Sequence, residues 1–373
     1  MVRSWSPGRW LLGIAGVAVA LVAFGGVALG LGSGPERVTR TAASQHDATL
    51  YFTTYHPPGV DEVSYRYAGG RLTLGTPRVV AHPPGADGIL FGPDGNLLVG
   101  GQGTGKVFSI SPSSGAVRGL PTGVPVSYHL ALDPTDAHLY TAAAPGPLSE
   151  VPLKPPGPGH PVPLRGSDTR VTALAFAPGG VILYTASSPA GVGNIGLLNL
   201  ANDTTHRLLT DVPGAHGAIY DPFSHSFMVV GSDVALQLPV SDPGHIASEL
   251  TVPHMQFDQL AVTGTGQAFL ASNTGSMVLV DYSGTGRIGA VADRVIITPL
   301  AANLDDVAPL VGLGARPVVT AAHTWRVAGA SSFAAAALVV LAAAGRQVGR
   351  YRRSRPAISR LPRWDRRRRS SGH

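Results

Sequence analysis

There is no cysteine in the 373 residues. A disulfide framework, a thiolate metal site and a cysteine nucleophile are therefore all excluded. Charged residues make up 13% and aromatics 6%. No G-x-S-x-G elbow and no H-E-x-x-H motif occurs, and none of the 13 histidines has a second histidine four residues on. The common hydrolase and zinc-protease signatures are thus missing. Glycine and proline are abundant, at 48 and 32 residues. They fall between short apolar runs, the punctuation of a turn-rich all-β fold.

The net charge of +6 is unevenly distributed. Between Ser33 and Arg326 acids outnumber bases by 21 to 15, whereas eleven arginines and one acid follow Arg326. The central region is mildly acidic and the excess of base lies in the tails. The composition therefore gives no footprint for nucleic-acid binding by the folded part.

Two uncharged stretches are long enough to cross a bilayer. Residues 10–31 follow a short basic start with Arg3 and Arg9. At 1.5 Å rise per residue they span roughly 30 Å, the hydrocarbon thickness. They read as an uncleaved signal anchor behind a short cytoplasmic N-terminus, residues 1–9, or as a signal peptide cleaved near Ala28-Leu29-Gly30. Residues 327–345 are also uncharged, and the eleven arginines from Arg346 to Arg369 come directly after them. Such a block holds its side of a membrane helix in the cytoplasm. The reading is a plasma-membrane protein with its central domain outside the cytoplasm. Its tail, 346–373, is arginine-rich, disordered and cytoplasmic, in contact with anionic lipid headgroups.

Between the two stretches one phrase recurs. Anchor positions Tyr51, Leu98, Tyr140, Tyr184, Val229 and Leu270 lie 47, 42, 44, 45 and 41 residues apart, each in a short apolar run. Most runs follow another apolar strand and a turn, as in GILFGPDGNLLVGG from Gly88 to Gly101, where Asp94-Gly95 suggests a two-residue hairpin turn. A third strand follows (KVFSI, IGLLNL, VALQL, MVLVDY), then a less distinct fourth. Four strands in about 40–45 residues is the period of a propeller blade. The expected fold is all-β, a six-bladed β-propeller over residues 47–312, with five or seven blades as alternatives, flanked by two transmembrane helices. The last blade is split: residues 48–80 lack an inner strand, and Leu304–Gly312 supplies one from the other end. Residues 313–325 fit no element.

The phrase GILFGPDGNLLVGGQGTGKVFSISPSSG, with LDDVAP near the end, resembles the NHL, gluconolactonase-like and streptogramin-lyase-like propeller superfamily. The resemblance implies a fold, since such scaffolds host many activities. The Glu/Asn/Asn/Asp metal set of the gluconolactonase-like enzymes has no counterpart here. Nor does the late His and Glu pairing of the streptogramin lyases, because His254 is followed by no glutamate.

In propellers, ligands meet at the channel mouth, where the inner strands begin. The residues just before those strands read Asp87, Tyr128, Thr172, His216, Asp258 and Asp305; one place later stand Gly88, His129, Ala173, Gly217, Gln259 and Asp306. Asp87, His216, Asp258 and Asp305 are the candidate ligand or metal residues. Carboxylates with one imidazole suit Ca²⁺, Mg²⁺ or Zn²⁺, and carboxylates alone suit the first two. The bland alternative is that these side chains only hold turns. Gly100–Lys106, GGQGTGK, has the spacing of a phosphate loop, but Val107 stands where Ser or Thr would bind Mg²⁺. The segment reads as a glycine turn. Lys154–Pro163 reads as a stiff proline-rich connector, and Asn202-Asp203-Thr204 fits a glycosylation sequon. With no intact catalytic set, the expected function is a binding or scaffold module. It would present a propeller face to a protein or small-molecule partner, with membrane lipid as its other contact. The alternative is a metal-dependent lactonase- or lyase-like enzyme working at the channel mouth.

Overall fold

A computed structural model describes residues 46–143, 146–188 and 191–310. The chain divides into two compact units, Met1–Ala43 and Ser44–His373, and every described residue lies in the second. The expected membrane segments 10–31 and 327–345, residues 1–9 and 313–325, and the tail 346–373 lie outside the described residues. Among the described residues no helix is long and apolar enough to cross a membrane.

The described chain is all β: twenty-five strands in five sheets. Three sheets are built from consecutive strands. They are β5–β8 (Ala86–Phe91, Leu97–Gly101, Lys106–Ile110, Val117–Pro121), β9–β12 (Leu130–Leu132, His138–Ala142, Leu148–Pro152, His160–Val162), and β14–β17 (Ala173–Phe176, Ile182–Ser187, Val192–Asn199, Thr204–Pro213). The third carries β13 (Arg165–Gly166) in parallel on its outer edge. The next sheet has seven strands, β18 (Ala218–Asp221) to β24 (Arg294–Pro299). Its long strand β21, Ser248–Val262, changes partner midway. Its first half pairs β20 (Ser232–Pro239) and its second half pairs β22 (Gln267–Ser272). His254, at φ +68°, sits at the change of partner.

The remaining sheet joins the two ends of the described chain. Strand β25 (Leu304–Leu310) pairs antiparallel with β1 (His46–Tyr55), with Thr49 opposite Leu310 and Thr54 opposite Leu304. Strand β2 (Pro58–Ala68) continues outward to β3 (Arg71–Leu74) and β4 (Arg78–Ala81). The last inner strand therefore comes from the far end of the sequence, as the split repeat implied.

The apolar runs are strands buried on both faces. Alternate side chains serve alternate neighbours. Leu50 and Phe52 of β1 pack with Phe269, Met277 and Leu279 on one side. Tyr51, between them, packs with Ala86, Leu97 and Val99 on the other. Leu98 of β6 faces Leu139 and Val151 in the following sheet. The inner strands β5, β9, β14, β18, the second half of β21, and β25 touch one another in that order and close a circuit. They enclose a cavity of about 310 Å³, lined by side chains such as Phe91, Leu132, Phe176, Tyr220 and Val262. The architecture is propeller-like.

Two local expectations need correction. The turn near Asp94-Gly95 is not a two-residue hairpin: five residues, Gly92 to Asn96, join β5 to β6. The Gly95 N–H donates to the Gly92 carbonyl at 3.1 Å. Pro93 and Asp94 thus occupy the centre of the turn, and Gly95 takes the left-handed position at φ +83°. Proline's fixed φ suits the first central position, and glycine accepts the positive φ that follows. The proline-rich stretch Lys154–Pro163 is also more than a connector, because His160–Val162 forms β12. The glycine turn at 102–105 joins β6 to β7 as expected.

Candidate metal centre at the channel mouth

The N-terminal ends of the inner strands converge, and they carry both residue columns with them. Two glycines allow this. A Cβ on Gly88 would lie 2.6 Å from the Tyr128 carbonyl oxygen and 2.9 Å from His129 Cα. One on Gly217 would lie 2.6 Å from the Asp258 carbonyl oxygen and 2.8 Å from Gln259 Cα. Only glycine lets these strand starts approach so closely.

Four aspartates are enclosed there: Asp87, Asp258, Asp305 and Asp306 are 2%, 7%, 4% and 1% exposed. Asp87 accepts the Gly88 N–H at 2.7 Å and a bond from the Gln102 side-chain amide. Burial, then the charge of Asp258, pushes its carboxyl up to about 7. The Asp305 carboxyl is raised well above the ordinary range by burial, and the charges acting on it, Asp87, Asp258 and Asp306, are all carboxylates. Its Oδ2 is buried without a hydrogen-bond partner. Asp306 points elsewhere and accepts the Ile89 and Val307 N–H groups at 3.1 and 2.9 Å. Its role is to hold β25 to β5.

Two imidazoles flank Asp258. His216 Nδ1 lies 3.2 Å from Asp258 Oδ1, and the His216 side chain is 22% exposed. His129 is buried, and its Nε2 has no hydrogen-bond partner, with Asp258 Oδ2 3.9 Å away. Burial holds the His129 pKa down at about 4, so the ring is neutral. The two rings meet edge to face, centroids 4.6 Å apart.

The four candidate residues therefore do come together, but in two sets that share Asp258. Donor atoms of Asp87, Asp258 and Asp305 lie within 4.8 Å of one another, and so do those of His129, His216 and Asp258. Thr172 of the same column stays out: its hydroxyl pairs with Ser187 Oγ at 3.0 Å and receives the Ser187 N–H. His129, one place later in the sequence, joins instead. No local pattern in the sequence singles it out; the missing side chain of Gly88 makes room for the Tyr128–His129 backbone that carries it. Asn273, whose amide lies 3.4 Å from Asp258 Oδ1, carries no sequence signal. His254 is exposed and belongs to neither set.

The Asp87 carboxyl sets a pH dependence. Its folded-state pKa, about 7, lies above the ordinary 3.8. The folded state therefore holds an extra proton between those values. The stabilisation is complete below the ordinary aspartate value and is lost as pH rises through 7. His129 works in the opposite sense but lower, losing stability as pH falls from 6.5 through 4. In EDTA, stability by urea denaturation should fall between pH 6 and 8. Asp87→Asn should flatten that fall and be the more stable protein at pH 8.

No family model matches the chain, and no curated protein matches it. Among solved structures, a streptogramin B lyase is similar at 12% identity, over 58% of this chain and 70% of that one, with a TM-score of 0.44. The likeness is one of fold alone.

Proposed function

We propose that this protein is a six-bladed β-propeller, tethered on the outer side of the plasma membrane, which binds its ligand through a divalent cation at the channel mouth. The blade count is supported by the closed circuit of inner strands β5, β9, β14, β18, β21 and β25, each heading a run of antiparallel strands. The tether is supported by the uncharged stretches 10–31 and 327–345 and the arginines after the second. The tail is then cytoplasmic, against anionic lipid.

One observation carries the cation. His129 Nε2 and Asp305 Oδ2 are buried without partners beside two further buried carboxylates. Each such atom costs roughly 1–3 kcal/mol when left unsatisfied. A cation in either donor set converts one of these costs into a bond and offsets the repulsion among the carboxylates. Three protein ligands leave coordination positions open, which suits a ligand offering a carboxylate or carbonyl oxygen. The test is thermal unfolding of the full-length protein in EDTA, then with Ca²⁺, Mg²⁺ or Zn²⁺. At a hundredfold excess over Kd the native state gains roughly 2.7 kcal/mol. No shift with any of these ions would overturn the reading.

A second reading is a lactonase- or lyase-like enzyme. The Asp87 carboxyl favours it, since a group pushed up to about 7 is suited to moving a proton at neutral pH. Cation-dependent turnover of a lactone or cyclic peptide would select this reading over simple binding.

A further inference from the structure

The donors at the mouth form two sets, not one. Only Asp258 belongs to both. We infer that the mouth holds two cations of different character, bridged by the Asp258 carboxylate: one between His129, His216 and Asp258, the other between Asp87, Asp258 and Asp305. This rests on the cation reading above and deepens it.

The geometry suits a bridge. A tetrahedral ion with bonds of about 2.1 Å holds its ligands about 3.4 Å apart. Both Asp258 oxygens face imidazoles of the first set, at 3.2 Å from His216 Nδ1 and 3.9 Å from His129 Nε2, and an Asp258 oxygen also lies within 4.8 Å of donor atoms of Asp87 and Asp305. Each set also contains one buried donor with no hydrogen-bond partner, His129 Nε2 in the first and Asp305 Oδ2 in the second. A single ion in either set satisfies one of these and leaves the other orphaned. Two ions satisfy both. Carboxylate-bridged pairs of this kind stand about 3.5–4 Å apart.

The donor chemistry differs between the seats. Two imidazoles and a carboxylate are borderline ligands, suited to Zn²⁺ or Mn²⁺. Three carboxylates are hard ligands, suited to Ca²⁺, Mg²⁺ or Mn²⁺. Manganese is the ion both seats accept, which makes it the probe of choice.

Ligation also assigns a role to Gln259. Its side-chain amide nitrogen lies 3.4 Å from His129 Nδ1, and its oxygen accepts the Leu260 N–H at 3.2 Å. A metal on Nε2 moves the imidazole proton to Nδ1. The Gln259 amide then turns its oxygen towards that proton and gives up the Leu260 bond. Gln259 is thereby a positioning residue for the histidine seat.

The experiment uses the full-length protein, stripped with EDTA and titrated with Mn²⁺, with bound metal counted by equilibrium dialysis and the spin state read by electron paramagnetic resonance. The expected result is two equivalents and a spectrum of two exchange-coupled ions. His129→Gln and Asp305→Asn should each bind one equivalent and give the uncoupled spectrum of a single ion, Asp305→Asn retaining Zn²⁺ and His129→Gln retaining Ca²⁺. One equivalent in the unaltered protein overturns the two-seat inference and leaves the single-cation reading standing. No binding overturns both. The count on the unaltered protein decides the matter even if a variant fails to fold.

Discussion

Asp258→Asn should reverse its effect on stability when a cation is added. In EDTA the variant should melt higher than the unaltered protein, because it removes a charge that acts on Asp87, Asp305 and Asp306. With saturating cation it should melt lower, because Asp258 belongs to both donor sets. The cation-induced gain, roughly 2.7 kcal/mol at a hundredfold excess over Kd, corresponds to roughly 5–10 °C for a domain of this size. The variant should lose nearly all of it. A purely turn-holding Asp258 gives a different pattern: the substitution lowers the melting temperature by the same amount with and without cation. Calorimetry of the two proteins under the two conditions separates these outcomes.

The second large effect concerns closure. A chain ending at Asn303 should fail to fold cooperatively, whereas one ending at Gly312 should unfold in a single transition. The difference is strand β25. Its loss takes away the buried Leu304, Val307 and Ala308 and leaves β1 with an unpaired edge. It also uncovers Leu50 and Phe52, which are 0% and 1% exposed in the closed form. At about 1.5–3 kcal/mol for each large side chain uncovered, the total approaches the whole stability of an ordinary domain, about 5–15 kcal/mol. Circular dichroism melts and limited proteolysis of the two truncations give the answer. A cooperative transition in the shorter chain would mean that closure by β25 is dispensable.

Much of this was legible in the sequence, and the physical reason is uniform. Second strands such as Leu97–Gly101 and Ile182–Ser187 are buried on both faces, so they read as unbroken apolar runs with a regular spacing. Outer strands were harder to see. Val117–Pro121 and Arg294–Pro299 are largely exposed, and nothing requires them to be apolar. The shared strand β21 hid a boundary: no turn separates its two halves, only a bulge around His254. At the mouth, the aspartates were found because they immediately precede inner strands. His129 was passed over because the ring reaches the cluster from one residue further along. That offset depends on how β9 sits against its neighbours, which no local pattern encodes. Gln102 and Asn273 come from loops after second strands and are joined to the site only by the fold.

The pairing of β25 with β1 has a mechanical consequence. Thr49 stands opposite Leu310, so the first and last described strands begin and finish side by side. Strand β25 starts at the mouth, beside Asp305, and runs away from it, so this shared point lies at the other end of the channel. A pull applied at both ends would unzip this antiparallel pair one hydrogen bond at a time, starting from Thr49 and Leu310, and load the remaining sheets hardly at all. The same adjacency makes the ring a candidate for circular permutation. A short linker from Leu310 to His46, with new ends opened in the 102–105 turn, would keep every strand pairing and move the point of attachment to the side of the aspartates and histidines.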